Sequence, residues 1–255
     1  MSGHSKWAQI KRQKGVADTR RGQLFTKLSQ EIMHSVRKGG SSLETNFRLR
    51  LAVQKARDNN MPLENIERAI KRGAGGTEGV NLAEVTYEGY GPGGAAILLE
   101  ALTDNRNRTA AEVRSLFSRG GGSLGENGSV TWIFEPKGVI TVETVDAEEL
   151  AFYVIDAGAE DIKILDSSLE IHTKPEDLER LRKSLEERNL TIVSAEVLMV
   201  PKNIVMLEEK AALQTLRLLD KLEELDEVQR VFTNADFPDE ALVKYRSHPS
   251  AEGKG

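Results

Sequence analysis

The chain has 255 residues, with 40 Asp and Glu against 35 Lys and Arg, a formal net charge of -5, and no cysteine. At about 100 to 200 residues per domain this length gives two or three domains, and 39% hydrophobic with 5% aromatic residues suits ordinary globular cores. The lack of cysteine excludes disulfides, thiolate nucleophiles, iron–sulfur clusters and Cys-based zinc sites, and apolar runs such as Ala95 to Leu99 fall far short of the roughly 18 residues of a membrane span.

Charge is unevenly placed. Met1 to Gly73 holds 16 Lys and Arg against 6 Asp and Glu, net +10, whereas the remainder holds 19 against 34, net -15. The basic third points toward a polyanion, although charged helix faces also serve solubility alone. The first 17 residues contain no acid and no apolar signal core, and a cytoplasmic protein is expected.

The N-terminal arm places His4, Lys6 and Trp7 ahead of Lys11, Arg12 and Lys14, a composition suited to stacking on a base while touching phosphates; Trp7 could equally anchor the arm by burying its ring. A first helix starts at Asp18 or Thr19, carries Leu24, Phe25, Leu28, Ile32, Met33 and Val36 at helical spacing, and stops at Gly39 and Gly40. Arg20 and Arg21 sit in its first turn, where the helix dipole disfavours cations, so helix stability does not explain them.

A second helix over Asn46 to Asp58 has an inner stripe of Leu49, Ala52, Val53 and Ala56. Arg48 and Lys55 flank it on one side, Arg50 and Arg57 on the other. Asn60 is expected to cap a third helix with Pro62 in its first turn, an inner face of Leu63, Ile66 and Ile70, and a stop at Gly73. Gly75, Gly76 and Gly79 then read as a linker.

The period now changes to about two. Strands are expected at Glu84 to Glu88 and Ala95 to Leu102, then a helix capped by Thr109 and running to about Ser118, a glycine-rich loop over 120–128, and a strand from Val130 to Phe134. From Val139 the order is strand, helix (146–157), two strands (162–165, 169–173), helix (175–188) and strand (191–200), a complete split βαβ unit. The helix over 208–225 and the strand over 228–233 are left over, as closure of the interrupted first unit requires. The expected class is therefore α+β: an N-terminal three-helix domain (1–76) and two ferredoxin-like α/β domains, one (137–202) inserted in the other (77–136 plus 203–241), with a flexible tail over 242–255.

Catalytic motifs fail on context. Gly120, Gly122 and Gly125 fit G-x-G-x-x-G, and 121–125 fit G-x-S-x-G, but both patterns need a strand before and a helix after, and here the order is reversed. His4, His34, His172 and His248 form no ligand pair, so no metal site is expected, and an enzyme is left without a supporting motif. In Asp104-Asn105-Arg106-Asn107-Arg108, two arginines and the free N–H groups of a helix start could converge on an anion; the alternative is a tight turn closed by its own Asn and Asp side chains.

The stretches GHSKW (3–7), FTKL (25–28, including Lys27), NNMPLENIERAIKRG (59–73), YEGYGPGG (87–94), LTDNRNRT (102–109) and GSLGENGSV (122–130) occur in one order that resembles the YebC/PmpR family. The match is dense to about Val142 and looser beyond. One departure is Phe47, where relatives usually carry Pro, which touches the start of the second helix and leaves its basic residues in place. The resemblance implies a three-domain transcriptional regulator that binds DNA, with some relatives acting as translation factors on the ribosome, including a mitochondrial activator of cytochrome oxidase subunit synthesis, and no cofactor in either role. The expected function is a non-enzymatic nucleic-acid-binding regulator, with ribosomal or messenger RNA as the alternative partner. The expected contacts are His4, Lys6, Trp7, Lys11, Arg12, Lys14, Arg20, Arg21, Lys27, Arg48, Arg50, Lys55, Arg57, Arg106 and Arg108.

Overall fold

A computed structural model describes residues 18–75, 82–143, 146–165 and 168–247. The basic third forms α1 (Asp18–Gly39), α2 (Phe47–Asp58) and α3 (Leu63–Ala74). Gly40, at φ 84, ends α1 in the left-handed region that glycine adopts without a Cβ clash. Phe47 opens α2 without difficulty because the Asn46 side chain accepts the Leu49 N–H. Asn60 does not cap α3 as expected. It takes φ 56 and its N–H bonds the Arg57 carbonyl, so it terminates α2, and α3 begins at Leu63 behind Pro62 with no side-chain cap. Leu28, Ile32, Leu49, Val53, Ala56 and Ile66 close a core that belongs to the three helices.

Beyond the helices, β1 (Ala83–Tyr90) and β2 (Ala96–Thr103) form an antiparallel hairpin from Ala83↔Thr103 to Tyr90↔Ala96. Then come α4 (Arg106–Arg119) and the two-residue β3 (Ser123–Leu124). The expected cap at Thr109 lies inside α4, buried with its hydroxyl 2.8 Å from Thr103; the cap is Asn105, whose side chain accepts the Arg108 N–H.

The strand expected from Val130 to Phe134 is absent. Glu88 on β1 reaches across and accepts the N–H groups of Gly128 (2.7 Å), Val130 (2.8 Å) and Thr131 (2.8 Å), bending the segment so that Thr131–Ile133 is a 3-10 turn. Burial pushes the Glu88 carboxyl up, but these donors outweigh it and hold it below the usual carboxylate range.

The next strand, β4 (Phe134–Glu143), opens the second unit and is followed by α5 (Ala147–Asp156), β5 (Asp161–Leu165), β6 (Ser168–Thr173), α6 (Leu178–Glu187) and β7 (Thr191–Pro201). Its sheet order β5-β6-β4-β7, antiparallel throughout, is that of a ferredoxin-like unit. The chain then returns through β8 (Val205–Met206) and α7 (Glu209–Glu223) to β9 (Val228–Thr233), which pairs with β2 and completes the sheet β3-β1-β2-β9. β10 (Ala235–Asp236) pairs with β8, and α8 (Asp239–Ser247) follows. Residues 242–247, expected to be tail, belong to α8: Leu242 and Tyr245 are buried and the Tyr245 hydroxyl bonds Asp220.

Strand β2 is covered on both faces. Ile97, Leu99 and Ala101 pack with Val113 and Phe117 of α4 and Leu216 and Leu219 of α7; Ala96 and Leu98 pack with Val130, Ile133, Phe134 and Phe232. Phe117 is completely buried in the first of these layers. Phe117→Ala should cost about 3–5 kcal/mol in equilibrium urea unfolding; a loss below about 1 kcal/mol would mean that this layer is not packed as described.

Candidate nucleic-acid interface

The inner stripe of α2 fixes the roll of the helix and so the direction of its cations. On one flank Arg48 forks onto Glu84 of β1, with Nη2 to Oε1 at 2.7 Å and Nη1 to Oε2 at 3.4 Å, and Lys55 Nζ lies 2.5 Å from Glu196 Oε2 on β7. On the other flank Arg50 donates to the carbonyls of Leu43 (2.7 Å) and Glu44 (2.8 Å) and to Glu179 Oε2 on α6 (2.9 Å). Leu51, on the ridge between the flanks, packs against the core of the inserted domain, as do Ile192, Ala195 and Val197 of β7.

Three of the expected phosphate ligands, Arg48, Arg50 and Lys55, therefore meet carboxylates of the acidic domains instead of standing open to a ligand. The physical reason is the charge polarity itself: a helix with four cations on its flanks, folded beside domains rich in glutamate, finds intramolecular anions first. Lys27 is engaged in the same way, donating to the carbonyl of Glu223 on α7. Arg108 is held by Asp104 and Glu227, both at 2.8 Å, and Asn105 has taken the free helix N–H, so the anion site expected at 104–108 is filled by the protein's own groups.

A second set of charges faces the first. Arg230 of β9 bonds Glu31 of α1 at 2.8 Å and the Val197 carbonyl at 2.9 Å, with Glu100 and Glu196 each 3.9 Å away. These groups, with Arg48, Lys55 and Glu84, border a cleft of about 310 Å³ where the three domains meet. His34, 3.4 Å from Glu84, and Arg48 hold the Glu84 carboxyl well below the usual range against burial. Burial raises Glu31, but Arg230 and Lys55 outweigh it and bring it below its ordinary value; the Arg50 guanidinium lowers Glu179. Glu100 goes the other way, pushed up by burial more than Arg230 draws it down.

Of the remaining expected contacts, Arg21 is exposed with its guanidinium 5.6 Å from the Phe25 ring centre, and Arg57 and Arg106 are exposed. His4, Lys6, Trp7, Lys11, Arg12 and Lys14 lie outside the described residues, as does the side chain of Arg20. Sequence reasoning passed over Lys38, Lys71 and Arg72, all exposed, because cations at helix C-termini are explained by the dipole. The ends of α1 and α3 come together where Gly73 packs on Met33 and Val36, so closely that a Cβ there would lie 2.8 Å from that of Val36. Two such ends side by side gather more charge than either dipole asks for. Among the described residues no group of three or more His, Asp or Glu side chains could hold a metal ion, and no helix is long and apolar enough to cross a membrane.

Residues 5–76 match the family model for the TACO1/YebC protein N-terminal domain, and residues 82–235 match that for the TACO1/YebC second and third domain. A protein named probable transcriptional regulatory protein from Dehalococcoides mccartyi is 58% identical over 249 residues, covering 97% of this chain and 99% of that one. A protein of the same name from Natranaerobius thermophilus is 50% identical over 247 residues, covering 95% and 99%. The crystal structure of a conserved hypothetical protein from Aquifex aeolicus aligns with a TM-score of 0.81 at 46% identity, covering 87% of this chain and 92% of that one.

The cross-domain pairs are partly solvated, and a double-mutant cycle on Arg50→Ala and Glu179→Ala should give a coupling of about 0.2–1 kcal/mol that shrinks with added salt. Acid should loosen the docked state. Glu31, Glu84 and Glu179 sit below their ordinary value of 4.5, so their contribution is full above that pH and is lost as pH falls through the lowered folded values. Glu100 partly offsets this, because its raised carboxyl is relieved on protonation. The melting temperature should fall more steeply below pH 4.5 in the wild type than in a Glu84→Gln/Glu179→Gln variant; equal slopes would show that these pairs do not carry the acid response.

Proposed function

This chain belongs to the TACO1/YebC family, and from that premise we propose that it is a non-enzymatic regulator of gene expression that binds nucleic acid through its helical domain, with duplex DNA as the first target. The names of its relatives support the regulator role. The observation that carries the binding reading is the exposed charge left on the helices after the cross-domain pairs are counted: Arg21, Lys38, Arg57, Lys71 and Arg72 all face solvent. The arm carrying His4, Lys6, Trp7, Lys11, Arg12 and Lys14 adds to this charge by its sequence.

These residues are suited to holding a phosphate backbone, a mode that sets orientation and leaves base reading to other contacts. A second reading keeps the chemistry and takes structured RNA, such as that of the ribosome, as the partner. It is favoured by the setting of α2: its inner stripe is buried in the bundle and its outer ridge lies on β7, so it has no face ready for a major groove.

Binding of the full chain to a short duplex DNA and to a hairpin RNA, measured by fluorescence anisotropy over a salt series, tests both. Each phosphate contact on duplex DNA should add about -0.9 to the log–log slope, so Arg57→Ala/Lys71→Ala/Arg72→Ala should flatten it by up to about 2.7. A salt-independent affinity would overturn the phosphate reading, and a clear preference for the hairpin at matched salt would move the partner to RNA.

A further inference from the structure

Helix α2 is arranged for two partners that cannot be held together. At 3.6 residues per turn, Arg48 and Lys55 form one row and Arg50 and Arg57 another, on either side of the Leu51 ridge. Each row spans seven residues, about 10.5 Å at 1.5 Å per residue, which is the length of about three nucleotides along one strand at 3.4 Å each. In the folded chain three of these four cations grip carboxylates, and the carboxylates come from three different elements: Glu84 on β1, Glu179 on α6 and Glu196 on β7. Arg48 takes both oxygens of Glu84, the forked geometry by which a guanidinium also takes a phosphate.

The contact that these pairs hold is shallow. The helical domain has its own closed core, and among the described residues Leu51 is the one side chain of that domain that packs with the core of another. Beside it a cleft of about 310 Å³ stays open, bordered by the charged side chains and by Phe47, Leu51, Ala195 and Val197. Around that one apolar contact the interface is made of ion pairs beside an open cleft, which are weaker and more salt-sensitive than a packed apolar layer.

We propose that Glu84, Glu179 and Glu196 are intramolecular stand-ins for phosphate: they close the α2 site, and a nucleic-acid backbone opens it by exchanging phosphates for carboxylates on Arg48, Arg50 and Lys55. The ligand class is a polyanion with regularly spaced monoanionic groups. The proposal rests on the nucleic-acid reading above and assigns the regulation of that site. Affinity for such a ligand is reduced by the fraction of molecules that are open, so removing the stand-ins strengthens binding without adding a contact. The salt slope steepens when the stand-ins are removed, because in the wild type added salt also weakens the carboxylate pairs that compete with phosphate and so raises the open fraction.

Two measurements on the full chain test this with the same duplex DNA and hairpin RNA. In the first, Glu84→Gln/Glu179→Gln/Glu196→Gln is compared with wild type; at low salt binding should tighten about tenfold, as for an open fraction of about one-tenth in the wild type, and the gain should shrink as salt is added. In the second, the absence of native cysteine allows clean dye labelling of Ser42→Cys and Glu187→Cys, exposed positions on the helical and inserted domains. Energy transfer between the dyes should fall when nucleic acid is added to a chain with all three carboxylates intact. Unchanged or weaker binding by a folded triple variant, or unchanged transfer on binding, would overturn the exchange while leaving the nucleic-acid reading standing. If the triple variant does not fold, the transfer measurement decides alone. A wild type and triple variant that both fail to bind would overturn the nucleic-acid reading and the exchange with it.

Discussion

Opposite charge placed on opposite ends of one chain governs the arrangement of this molecule. Arg48, Arg50 and Lys55 lie within eight residues of one another, but their partners stand 36, 129 and 141 positions further along. Ion pairs over such separations contribute little to the folding of any single domain, because each domain has its own apolar cluster. They set where the helical domain rests. Arg230 extends the same logic in the other direction, reaching from the central sheet to Glu31 of α1 while Glu100 and Glu196 share its charge. With Arg230 largely buried, removing it would leave Glu31 only the weaker attraction of Lys55 and Arg48, a larger penalty than loss of a surface pair.

What the sequence made legible was local. Asn46 as the start of α2 and Gly40 as the end of α1 were readable because a cap or a left-handed residue acts within one turn of itself. The split βαβ order of the inserted unit was readable from its alternation of periods, and the leftover helix and strand pointed to closure of the first unit; that the strand is β9 and lies beside β2 came from the structure. The failures were of the opposite kind. Val130 to Phe134 has the apolar and β-branched composition of a strand, and what bends it is Glu88, some 40 residues earlier. Helix α8 had a start signal in Pro238, Asp239 and Glu240 and a short inner face of Ala241, Leu242 and Tyr245, but its nine residues are too few for periodicity to stand out.

The candidate site divides along the same line. Charge counting correctly finds which helix is cationic, since composition is a local property. It cannot distinguish a cation that awaits phosphate from one that already holds a carboxylate, because the two choices leave the same letters in the sequence. Lys71 and Arg72 illustrate the converse error: a sufficient local explanation, the dipole of α3, concealed that α1 ends beside them with Arg37 and Lys38, and Gly73 marks the place because no larger residue fits against Met33 and Val36.

The two interfaces of the central domain differ in chemistry, and that difference determines which part of the molecule can respond to a ligand. Toward the inserted domain, Ala96, Leu98 and Phe232 pack with Ile133 and Phe134, and Phe134 is also the first residue of β4, so the apolar layer and the chain itself tie the two together. Such a layer is insensitive to salt and costly to open. Toward the helices the contact is largely ionic, bordered by an open cleft, and its carboxylates carry the same charge as the backbone of a nucleic acid. A polyanion therefore competes for the second interface and has no purchase on the first. The acidic domains can be read as one rigid counter-surface, and the helical domain as the part whose position depends on which anion it holds.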